Sequence, residues 1–105
     1  MNKVFTNERH PETNRKSVLK LIDFYSSWSV PCENQSAILD DLKEVFNDRI
    51  EIIKTDIDDP ESDRGEYRIK AVPTLCLLKK GREVRRFIGV QPLDSLVRAI
   101  STFME

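Results

Sequence analysis

The strongest constraint on this chain is an order of segments: a short strand-like run, then a helical periodicity, then a second strand-like run. Residues 18–25 are short, β-branched and aromatic between polar flanks, as a buried strand requires. Residues 29–47 change to helical spacing, with Ile38, Leu39, Leu42, Val45 and Phe46 on one side and Asp40, Asp41, Lys43 and Glu44 on the other. Residues 50–57 read as a second strand. A strand–helix–strand passage closes with parallel strands and a right-handed crossover. The expected class is therefore α/β, a mixed central β-sheet flanked by helices on both faces.

The rest of the chain completes that plan. Asp59-Pro60 supplies an N-cap and a proline at the first helical position of a weak segment running towards Tyr67, interrupted by Gly65. Residues 73–78 and 83–88 form an antiparallel hairpin, joined through Lys79-Lys80-Gly81-Arg82, where glycine allows the positive φ of a tight turn. Leu93, Leu96, Val97, Ile100 and Phe103 recur at helical spacing after Pro92 and predict a closing helix packed on the sheet. The 105 residues fit one domain, with 39% apolar and 33% charged types to supply one core and one hydrated surface.

Charge and hydropathy exclude several functions. Seventeen basic against 18 acidic residues give no general field for nucleic acid or an anionic membrane. The longest apolar run is four residues, 75–78, far below the ~20 needed to span a bilayer. The first ten residues, through His10, lack the apolar stretch of a signal peptide, so the expected location is cytoplasmic. His10 is the only histidine, which leaves metal and Cys–His schemes without partners. The acidic stretch 56–63 fails as a calcium loop, because Glu61 stands where the turn needs glycine. Lys79, Lys80, Arg82, Arg85 and Arg86 read as the wet face of the hairpin.

Two cysteines remain to be explained. Cys32 lies in the first turn of the helix that follows the first strand, where free N–H groups and the helix dipole favour an anion. The string Trp28-Ser29-Val30-Pro31-Cys32 resembles the thioredoxin signature Trp-Cys-Gly-Pro-Cys, with Ser29 for its first cysteine and Val30 for its glycine. The likeness extends in order to Ile22-Asp23-Phe24-Tyr25, to Lys54, to Ala71-Val72-Pro73-Thr74-Leu75, and to Gly81 and Gly89, covering roughly residues 18–103.

The resemblance implies a role for each position. Cys32 would be the resolving thiol, and Asp23 a buried carboxylate that helps take its proton, compensated by Lys54. Trp28, Val30 and Pro31 would form an apolar rim for extended peptide. Pro73 would be cis beside Cys32, leaving the Val72 backbone free to pair with a substrate strand, with Gly89 nearby. The implied partners are disulfide-containing protein substrates and a thioredoxin reductase, met by a monomer that needs no bound cofactor. Serine cannot replace the attacking thiol, because its hydroxyl is far less acidic and does not exchange with disulfides.

Plainer readings stand beside these. Serine is a favoured N-cap, worth about 1 kcal/mol over alanine, so Ser29 has a purely structural use. Asp23 could be an ordinary strand-edge aspartate, and Trp28 and Pro31 could simply brace the helix start. Cys76, three residues beyond Pro73, reads as a small buried apolar residue too far along its strand to bridge Cys32. Glu33 stands where many relatives carry lysine, and Ala37 where many carry a kinking proline, which predicts a straighter helix. Two functional readings follow: a thiol–disulfide oxidoreductase whose attacking cysteine is Ser29 by design, and a natural binding module, redox-silent or acting through Cys32 alone. A monothiol glutaredoxin-like reading fits less well, since such proteins keep the first cysteine of the pair.

Overall fold

The computed structural model describes residues 19–104. Val18 and the leader before it, including His10, lie outside the described residues. Strand β1 (Leu19–Tyr25) runs parallel to β2 (Ile50–Asp56) and antiparallel to β3 (Thr74–Lys79), and β3 pairs antiparallel with β4 (Arg82–Ile88). The sheet order is β2-β1-β3-β4, so β1 is central and flanked on both sides, as its apolar composition requires. The connection between β1 and β2 is helix α1 (Val30–Phe46), followed by one 3₁₀ turn at Asn47–Arg49.

Alternation along the strands divides the core in two. On one face Leu19, Leu21, Leu75, Leu77 and Phe87 pack against Leu39, Leu42 and Phe46 of α1 and against Leu96, Ala99 and Ile100 of α3 (Leu93–Thr102). On the other, Ile22, Phe24, Cys76 and Leu78 meet Tyr67 and Ile69, with the Phe24 and Tyr67 rings tilted 5.3 Å apart. The helix spacing of the sequence is reproduced except at one position. Val45, assigned to the apolar side, is 42% exposed, because a stripe through Cys32, Gln35, Leu39, Leu42 and Phe46 turns it outward.

The weak segment is shorter than its sequence suggested. Helix α2 is a single turn, Arg64–Tyr67, with Asp63 rather than Asp59 at its N-cap. The Asp59 carboxylate instead accepts the Glu61 N–H at 2.9 Å, a local turn that competes with helix and delays it. The hairpin turn has Lys80 at φ 53° and Gly81 at φ 80°, the left-handed pair that a two-residue connection between twisted strands demands. Among the described residues, no helix is long and apolar enough to cross a membrane.

Candidate functional site

The turn between β1 and α1 builds the site from its own backbone. The Ser29 N–H donates to the Ser26 carbonyl at 3.3 Å, and the Ser29 carbonyl accepts the Glu33 N–H at 3.2 Å. Ser29 has extended dihedrals, and its Oγ accepts the Cys32 N–H at 3.2 Å. It is therefore the N-cap of α1, satisfying one of the donors that a helix start leaves without a partner. Pro31 sits in the first turn, where its missing N–H costs nothing. Both Ser29 and Cys32 are buried, at 6% and 3% exposure, and the Cys32 Sγ accepts the Ser26 N–H at 3.4 Å.

Behind Cys32 lies a cavity of about 220 Å³ whose walls include Asp23, Ser36 and Lys54. Asp23 shares the face of β1 that carries Leu21, so its carboxylate is directed beneath α1, and its Oδ1 is buried with no hydrogen-bond partner among the described residues. Burial pushes the Asp23 carboxyl up to about 6, and the Lys54 ammonium opposes that rise. Lys54 is the residue opposite Asp23 on β2, and its Nζ donates to Ser36 Oγ. The lysine thus acts on Asp23 through space while its own hydrogen bond goes to the helix.

A second, open depression of about 690 Å³ runs along the outer side of the turn. Trp28, Ser29, Val30 and Pro31 form one wall, and Ala71 and Val72 the other. Trp28 is 72% exposed and Val30 64%, a large apolar surface for so small a chain. The Trp28 ring is not free to swing. Its Nε1 donates to Asp58 Oδ2 at 3.0 Å, and Ser26 Oγ donates to the same oxygen at 3.1 Å.

Two loops complete the surroundings. The Val72–Pro73 peptide is cis, and the Pro73 carbonyl accepts the Gly89 N–H at 2.9 Å. Gly89 has φ +89°, a left-handed conformation that a side chain would strain. The loop that carries Gly89 is tied back to α1 by Gln35, a completely buried amide. Gln35 Oε1 accepts the Gln91 N–H at 2.7 Å, and its Nε2 donates to the Gln91 carbonyl at 3.2 Å. Cys76 points to the opposite face of the sheet, and both cysteines are free. Burial, and then the nearby Glu83, push the Cys76 thiol up to about 12.

With this arrangement in view, the comparisons decide the family. A family model described as Thioredoxin matches residues 2–102. The chain belongs to the thioredoxin family. It is 34% identical over 94 residues to the rice protein thioredoxin Y, chloroplastic, covering 90% of this chain and 55% of that one. To the thioredoxin of Staphylococcus haemolyticus it is 29% identical over 89 residues, with 85% and 86% covered. Its fold overlays that of a mutant thioredoxin from Halobacterium salinarum with a TM-score of 0.80, at 26% identity and with 97% and 88% of the two chains covered. The Fasciola hepatica thioredoxin structure gives 0.78, at 29% identity and with 91% and 88% covered.

As a thioredoxin-family chain it gathers the residues singled out from sequence into three neighbouring places. Asp23, Cys32 and Lys54 share the inner cavity, while Trp28, Ser29, Val30, Pro31 and Val72 line the groove. Pro73 and Gly89 join through their backbones. Sequence reasoning missed Ser26, Ser36, Asp58 and Gln35. Of these only Gln35 left a signal: a polar residue on a helix stripe whose other members through Phe46 are apolar or cysteine.

Proposed function

We propose that this protein is a thiol–disulfide oxidoreductase of thioredoxin type in which Ser29 occupies the position of the attacking cysteine. The chain as it stands then docks extended, disulfide-bearing protein segments and does not turn over. One observation carries this reading: the single site thiol, Cys32, is 3% exposed behind a serine that caps its helix. In a dithiol cycle an exposed thiolate attacks the substrate disulfide and a second thiol releases it by closing an internal bridge. Cys32 has the shielding suited to the second step, while Ser29 lacks the nucleophile needed for the first.

Asp23 fits a proton-handling role in that second step. Its carboxyl, held near 6, can take a proton from the Cys32 side and return it, and Lys54 moderates the charge. Trp28, Val30, Pro31 and Val72 support docking of an extended segment, with Pro73 and Gly89 holding the facing loops. A disulfide-bearing protein is the substrate class and a thioredoxin reductase the electron donor of this reading. The thiols carry the electrons, so it requires no bound cofactor, and it places the chain in the cytoplasm as a monomer.

Restoring the thiol tests the proposal. Ser29→Cys is expected to reduce a protein disulfide with dithiothreitol or a thioredoxin reductase, whereas the parent is expected to run at the uncatalysed rate. A Ser29→Cys protein no faster than its parent overturns the oxidoreductase reading and leaves a redox-silent binding module. That second reading draws on the same exposed Trp28 and Val30 surface.

A further inference from the structure

The groove beside Trp28 is selective in charge as well as shape. Most of its walls are apolar, and among the described residues the charged side chains that line it are Arg64 and Lys70, both cations, with no carboxylate beside them. This is not the consequence of a basic protein, since the formal net charge of the chain is −1. Charge is instead sorted by helix α2. Glu66 lines a separate cavity over the other sheet face, where Asp56, Asp59, Glu61, Asp63 and Glu66 outnumber the two lysines Lys20 and Lys54, while Arg64 of the same turn lines the groove. Arg68, at φ 57° the left-handed cap that ends α2, adds a third exposed cation between Arg64 and Lys70.

The nearest carboxylates do not cancel this field. Asp58 keeps its charge, but its Oδ2 is turned to the Trp28 indole and the Ser26 hydroxyl and it does not line the groove. Glu33 borders the inner cavity with Cys32. The guanidinium of Arg64 and the ammonium of Lys70 form no ion pair among the described residues, so they remain available to an incoming anion.

The geometry points to an acidic extended polypeptide as the occupant of this groove: a segment that places an apolar side chain against Trp28 and Val72 and aspartate or glutamate residues against Arg64 and Lys70. Complementary charge of this kind raises the association rate and discriminates partners more than it adds affinity. The inference rests on the docking reading above and names its substrate class. Lysine-rich segments are disfavoured by the same two cations.

Trp28 is the only tryptophan, so its fluorescence reports occupancy of this groove directly. Two synthetic peptides of equal length, each with the same Val-Cys-Val core and an S-methylated cysteine, would be titrated into the parent protein. One is flanked by aspartate and glutamate, the other by lysine. The acidic peptide is expected to bind about tenfold more tightly at low salt, the preference shrinking towards unity at roughly 0.5 M salt as exposed charges are screened. Arg64→Glu/Lys70→Glu, checked for native circular dichroism, is expected to reverse the preference. Equal binding of the two peptides, no binding of either, or a preference unchanged in the folded double variant would each overturn the inference. Turnover by Ser29→Cys without charge preference would sink this inference alone, whereas charge preference without turnover would sink only the oxidoreductase reading.

Discussion

Gln35 grips both backbone groups of Gln91 from a completely buried position, at 2.7 Å and 3.2 Å. This amide couples the helix that carries Cys32 to the loop whose Gly89 holds the Pro73 carbonyl. Three segments distant in sequence thereby share one rigid frame around the groove.

Gln35→Leu keeps the side-chain volume and removes both bonds. Leaving the Gln91 N–H and carbonyl without their partner is expected to cost about 1–3 kcal/mol in urea unfolding. The amides of Gly89 and Gln91 are expected to exchange faster with solvent than those of the sheet interior. Unchanged exchange at both amides would refute the coupling.

Asp23 gives a pH dependence with a definite sign. Its carboxyl moves from the ordinary 3.8 up to about 6 on folding, through burial and against the pull of Lys54. The native state then binds the proton more tightly than the unfolded state. Stability therefore falls as pH rises between those two values, and the penalty persists above them at roughly 2–3 kcal/mol. Asp23→Asn removes the charge at similar shape. Chemical denaturation at pH 7 is expected to find it more stable than the parent, with the gap closing on acidification below 3.8. Lys54→Met is expected to raise the Asp23 titration midpoint further, as read from its carboxyl carbon resonance.

Ser29 makes a structural contribution separable from chemistry. Ser29→Ala loses the acceptor of the Cys32 N–H and is expected to cost about 1 kcal/mol of stability. Ser29→Thr retains an acceptor and is expected to keep most of it. Thermal melts of the two variants distinguish a capping serine from one whose hydroxyl contributes nothing.

Cys76 is expected to be inert. With its thiol pushed from 9.0 to about 12, its thiolate population at neutral pH falls about a thousandfold. Iodoacetamide labelling followed by mass spectrometry should leave Cys76 unmodified in the native protein and modify it in urea. Rapid native labelling of Cys76 would contradict its placement under Tyr67.

The order of strand-like and helical segments determined the α/β class, the central position of β1, the helix after it and the hairpin closed at Gly81, because local spacing and turn chemistry need no distant partner to be expressed. The signature around Ser29 and Cys32 was legible for the same reason: capping and first-turn geometry belong to contiguous residues. Where local turns compete, as at Asp59, sequence placed a helix start too early, and Val45 shows that a helix face is fixed only by what packs on it. The frame around the site was decided by tertiary structure alone. Gln35 reaching Gln91, Asp58 holding Trp28, Ser36 taking the Lys54 ammonium and Arg64 turned towards the groove all depend on how separate elements meet in space. Hydrogen-bond partners and local charge are set by distances that the sheet and its crossover impose, and no periodicity along the chain records them.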